Sequence, residues 1–106
     1  MLTIRTILGL AMATAAAGAL AEDHVVGQKD RAFSTPKLTI KKGDTVTFRN
    51  DDPFFHNVFS LSDVHSFDLG SYPKGQARAT RFDKAGKVEV ECAIHPEMKM
   101  EIEVRE

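Results

Sequence analysis

Hydrophobic and polar residues alternate with a period of two along much of the chain. In KLTIKKGDTVTFRN, Leu38 and Ile40 alternate with polar neighbours, and Val46 and Phe48 do the same after a Lys42-Gly43-Asp44 turn. KVEVEC places Val88, Val90 and Cys92 on one face. MKMEIEVR does so with Met98, Met100, Ile102 and Val104, setting them against charged residues. Successive side chains of a strand point to opposite faces, so this alternation predicts half-buried β-strands. NVFSLS and ARATRFD read as further strands and HVVGQ as a less regular one. ARATRFD and KVEVEC read as a hairpin-like pair around Lys84-Ala85-Gly86. The stretch from Ser62 to Gln76, with Gly70, Pro73 and Gly75, reads as irregular. No segment carries a 3.6-residue apolar stripe. Short strands at this spacing predict an all-β fold, an antiparallel sandwich.

The first residues break the pattern. MLTIRTILGLAMATAAAGALA has a positive start at Arg5 and an apolar, small-residue run from Ile7 to Ala17. Ala19-Leu20-Ala21 then fits a cleavage site. This is the form of a secretory signal peptide, and the apolar run is short for a membrane span. Residues 1–21 are therefore expected to be removed, leaving 22–106 as one domain exported to the periplasm. An uncleaved anchor is the alternative. No second apolar run of spanning length follows. The chain has 14 basic and 15 acidic side chains, and only Arg5 lies in the leader. A slight negative balance of scattered charges excludes the electrostatic footprint of a nucleic-acid or anionic-membrane binder. A monomer is expected.

Export normally favours disulfides in a small domain, yet Cys92 is the only cysteine. It must be buried or bound. It opens CAIHPEM, in which His95 and Met98 follow at three-residue intervals. Thiolate, imidazole and thioether are soft to borderline donors of the kind that favour copper. FFHNVF supplies a further imidazole in His56, beside an apolar strand. Two histidines and a cysteine with a long axial methionine make a blue-copper electron-transfer site. An inert buried thiol is the plain alternative for Cys92 taken alone. Met100 shares the inward face with Met98 and competes with it for the axial role; Met98 lies nearer the loop.

GDTVTFRNDD, HNV and the final CAIHPEM, in that order, resemble the cupredoxins, the type 1 blue copper proteins. The short Cys-x-x-His-x-x-Met spacing is most similar to their amicyanin-like branch. The resemblance runs from about Phe33 onward. It implies a Greek-key β-sandwich that binds one copper through His56, Cys92, His95 and Met98. It also implies that the Asn57 side chain ties its strand to the ligand loop, and Pro96 matches a proline after the second histidine. Glu97 stands where the branch has an apolar residue, and Ala93 and Ile94 stand where threonine and proline are usual.

The function expected is a periplasmic one-electron carrier cycling Cu(II)/Cu(I). Its partners would be redox proteins such as a periplasmic dehydrogenase or a c-type cytochrome. The alternative is a copper chaperone or storage protein using the same ligands. No enzymatic activity is expected. A thiol protease gains nothing from a methionine beyond its histidine, a binuclear copper centre wants two cysteines, and thioether is a poor zinc ligand. Phe54 or Phe55 could shield the metal, Tyr72 reads as structural, and His24 and His65 read as exposed bystanders.

Overall fold

The computed structural model describes residues 20–106, so the leader expected over 1–21 falls almost wholly outside the described residues. Nine strands follow in chain order: β1 (Asp23–Lys29), β2 (Ala32–Phe33), β3 (Lys37–Lys41), β4 (Thr45–Asn50), β5 (His56–Ser60), β6 (Phe67–Tyr72), β7 (Ala77–Arg81), β8 (Gly86–Glu91) and β9 (Lys99–Arg105). They form a four-stranded sheet in the order β2-β1-β4-β7 and a five-stranded sheet in the order β3-β9-β8-β5-β6. The all-β sandwich is as expected. No helix among the described residues is long and apolar enough to cross a membrane.

The expected alternation holds where it matters. Val26, Val46 and Phe48 from one sheet and Ile40, Val88, Val90, Ile102 and Val104 from the other are closed to solvent and form one core. β4, β8 and β9 therefore bury one row and leave the other at least partly exposed, which is why period two was visible.

Three expectations are corrected. The sandwich is not wholly antiparallel, because β1 runs parallel to β4 and β3 parallel to β9. These pairs join segments far apart in sequence, such as Leu38 with Ile102, so no tight turn imposes an antiparallel sense. ARATRFD and KVEVEC are not a hairpin. β7 pairs with β4 in one sheet and β8 with β9 in the other. The chain crosses between sheets through Phe82, which is buried, and half-buried Gly86. At Gly86 φ is +139°, and an added Cβ would meet a Val64 methyl at 2.7 Å, so only glycine fits this crossing. Finally, the region read as irregular contains β6, which pairs with β5 across a register shift between Asn57 and Phe59. Gly70, which had suggested a loop, sits inside β6 at φ +77°, as glycine does at irregular strand positions.

Candidate metal centre

β5 begins with His56, and β8 ends one residue before Cys92. The two strands are neighbours in the five-stranded sheet, so sheet pairing carries His56 to Cys92. His56 Nδ1 and His95 Nδ1 each lie 3.8 Å from Cys92 Sγ, and the three donor atoms lie within 4.8 Å of one another. His56 and Cys92 are buried and His95 is half-buried.

The loop from Cys92 to Met98 is closed across its ends. The Met98 amide donates to the His95 carbonyl at 2.9 Å, and the Cys92 amide to the Met98 carbonyl at 3.4 Å. β8 and β9 pair up to Glu91 and Lys99, so the loop spans a fixed gap. Met98 is 1% exposed and Met100 4%. Both methionines are inside, as their parity required.

Asn57 behaves as the resemblance implied. Its side-chain oxygen accepts from the Ala93 amide at 2.6 Å, tying β5 to the loop, and its own amide points at Cys92 Sγ at 3.5 Å.

The sequence reading missed Asp52. Its carboxylate is buried and lies 2.7 Å from His56 Nε2. The ring therefore donates Nε2–H to Asp52 and leaves the Nδ1 lone pair facing Cys92, the tautomer a metal ligand needs. Asp52 also accepts from the Asp30 and Arg31 amides at 2.7 and 3.1 Å. Burial works against its ionisation, but the bonds from His56 and the two amides prevail and hold the carboxyl below its ordinary value. Those amides belong to the β1–β2 turn, where Asp30 and Arg31 take φ values of +55° and +57°. Asp52 is thus where a strained turn and the buried imidazole meet. A single aspartate among many gave no sequence signal for this.

Phe54, not Phe55, packs against the two imidazoles. Its centroid is 5.3 Å from that of His56 and 5.2 Å from that of His95, and the Arg31 guanidinium lies 5.0 Å above it. Phe55 is 54% exposed and Ile94 46%, which leaves an apolar surface on the ligand loop and its approach. Glu97 is exposed.

Two histidines differ from expectation. His65 is not a bystander: it hydrogen-bonds Thr80 Oγ1 at 2.8 Å and packs on Phe67 and Phe82, and burial pushes its basicity down. His24 bonds Asp44 at 2.9 Å. Tyr72 is structural as read. Its hydroxyl lies 3.0 Å from Gln28 Oε1 and 2.9 Å from the Phe48 carbonyl and shares its one proton between these two acceptors.

The donor set fits a copper ion. A divalent first-row ion about 2.3 Å from a thiolate and about 2.0–2.1 Å from an imidazole nitrogen, with about 120° between the bonds, sets sulfur and nitrogen about 3.8 Å apart. Both Sγ–Nδ1 separations have that value.

Comparison with known proteins finds copper-binding relatives. Residues 21–105 match the family described as copper binding proteins, plastocyanin/azurin family. Amicyanin of Paracoccus versutus is 35% identical over 88 residues, spanning 80% of this chain and 67% of the relative. The methylamine utilization protein MauL of Methylorubrum extorquens is 31% identical over 106 residues, spanning 98% of this chain and 93% of the relative. A solved structure of a reduced amicyanin point mutant superposes with a TM-score of 0.74 at 31% identity, over 84% of this chain and 89% of that one.

Proposed function

The chain belongs to the plastocyanin/azurin family of copper-binding proteins, and from that premise we propose that it is a periplasmic one-electron carrier in which His56, Cys92, His95 and Met98 would hold one copper ion. The observation that carries the reading is the pair of equal Sγ–Nδ1 separations. Bound there, copper supplies a Cu(II)/Cu(I) couple.

The protein's part is to hold the donors still. Asp52 fixes the His56 ring and its tautomer. Asn57 pins the loop through the Ala93 amide, and Phe54 packs against both imidazoles. Rigid support of this kind lets one arrangement serve two oxidation states with little rearrangement. Four protein donors would leave a bound ion no open position of the catalytic kind, which favours a carrier over an enzyme. Phe55, Ile94 and half-buried His95 form the face that a redox partner would meet. The MauL relative is named for methylamine utilization; the partners proposed for this chain are a periplasmic dehydrogenase as donor and a c-type cytochrome as acceptor. Export follows from the leader, with removal of residues 1–21.

The test is a titration of the metal-free mature protein with Cu(II), followed in visible light. An intense thiolate-to-copper charge-transfer band at one equivalent is expected, and Cys92→Ser should lose it while keeping the fold. A colourless Cu(II) complex of the wild type would overturn the assignment. Stable binding of Cu(I) alone would indicate a chaperone or store instead.

A further inference from the structure

A second group of metal-ligating side chains lies apart from this centre. Glu22, His24 and Asp44 bring their donor atoms within 4.8 Å of one another, beside a half-open cleft of about 330 Å³ also lined by Lys41 and Arg105. Asp44 is buried and organises the group. Its Oδ1 accepts from the Glu22 backbone nitrogen at 2.9 Å, and its Oδ2 lies 2.9 Å from His24 Nε2 and accepts from the Lys41 amide at 3.0 Å.

The leader supplies a second and independent observation. Cleavage after Ala21 turns the Glu22 nitrogen into a free α-amine and makes His24 the third residue of the chain. An α-amine, two backbone nitrogens and the imidazole of a third-position histidine can close three fused chelate rings around one ion. Four nitrogens in a plane are the preferred surroundings of Cu(II) and Ni(II). The ring nitrogen that closes the last chelate ring is Nδ1. Here Nε2 is the nitrogen engaged by Asp44, so Nδ1 is the one left to the metal.

We infer that signal-peptide removal creates a second, square-planar site for Cu(II) or Ni(II), built from the Glu22 α-amine, the Asp23 and His24 backbone nitrogens and His24 Nδ1, with Asp44 as the positioning carboxylate at both ends. This goes beyond the carrier function and depends on cleavage after Ala21. Asp44 takes the role usual beside a metal-bound histidine: it accepts Nε2–H and orients the ring. It does the same for the amine through Oδ1. Binding releases the two amide protons, and the ammonium proton where the amine is still charged. The ion's two positive charges are then balanced by two amide anions. Lys41 and Arg105 therefore do not repel the complex as they would a bare cation.

The cost falls on the end of β1. Asp23 and His24 pair with Thr45 and Val46 of β4, and the Thr45 amide donates to the Glu22 carbonyl at 3.0 Å, so this first stretch of the ladder must open. They are the first residues of the strand, and pairing from Val25 onward remains. Strand ends open at little cost compared with interiors.

The experiment uses the exported protein with its blue site filled and reduced, so that added Ni(II) is the only new chromophore. Mass spectrometry should find Glu22 as the first residue. One Ni(II) per chain should bind with release of amide protons and a yellow low-spin band. A chain retaining Leu20 and Ala21 keeps every side chain but has an amide at Glu22; it should lose the band, as should His24→Gln. A different first residue, an unchanged band in the extended chain, or binding without amide-proton release would each overturn the proposal. The last result would mean a side-chain cluster of Glu22, His24 and Asp44.

Discussion

Asp52 Oδ2 and His56 Nε2 lie 2.7 Å apart with both side chains closed to solvent. The pair sets which nitrogen of His56 faces Cys92. It also fastens the β1–β2 turn through the Asp30 and Arg31 amides.

Asp52→Asn tests both roles. The amide has one acceptor oxygen for three donors and turns an N–H group toward one of them. The metal-free protein should lose about 1–3 kcal/mol, the range for hydrogen bonds to a charged group and an unsatisfied donor. The reduction potential should rise, because an imidazole no longer bonded to a carboxylate is a poorer donor to Cu(II). Urea denaturation and potentiometry read the two effects separately. A stability loss with an unmoved potential would confine Asp52 to the turn.

Met98 and Met100 can be told apart. Met98→Leu should keep the colour and raise the potential, since a weak axial donor favours Cu(II) over Cu(I). Met100→Leu should leave the spectrum alone. Each is close to volume-conserving, so each should cost less than about 1.5 kcal/mol in stability. A spectral change on Met100→Leu without one on Met98→Leu would exchange their roles.

Asp44 should give the fold an acid-labile component. The Glu22 backbone N–H, the His24 side chain and the Lys41 amide hold its carboxyl down to about 2. A carboxyl lowered in the folded state contributes stability in full above its unfolded value near 4 and loses it as pH falls toward 2. Thermal unfolding followed from pH 5 to pH 2 should therefore drop more steeply in the wild type than in Asp44→Asn. Parallel curves would show that Asp44 carries none of the acid sensitivity.

Tyr72 links the two sheets. It starts from β6, and its hydroxyl reaches Gln28 and the Phe48 carbonyl in the other sheet. Gln28 Nε2 already lacks a partner. Tyr72→Phe should cost about 1–3 kcal/mol, because Gln28 Oε1 is left unpaired as well. Burial pushes the phenol well above its ordinary value. Its contribution is therefore complete below about pH 10 and declines as pH rises above that. Denaturation at pH 8 and pH 11 should show the wild type losing stability that Tyr72→Phe does not.

Much of the core was legible before any coordinates. Val88, Val90 and Cys92, and the row from Met98 to Val104, were assigned inward by period two, because a strand exposes its two faces in strict alternation. CAIHPEM was legible for a related reason. Its three donors sit within one short loop, where spacing in sequence constrains spacing in space. What the sequence could not decide was pairing. β7 and β8 look like a hairpin locally, yet their partners are β4 and β9. Partner choice depends on burying both inner faces at once, which no local window contains. The same holds for Asp52 and Asp44. Each looks like an ordinary turn aspartate until the fold brings His56 to one and Glu22 with His24 to the other. A carboxylate's role is set by the donors that surround it, and those donors arrive only when distant segments are packed together.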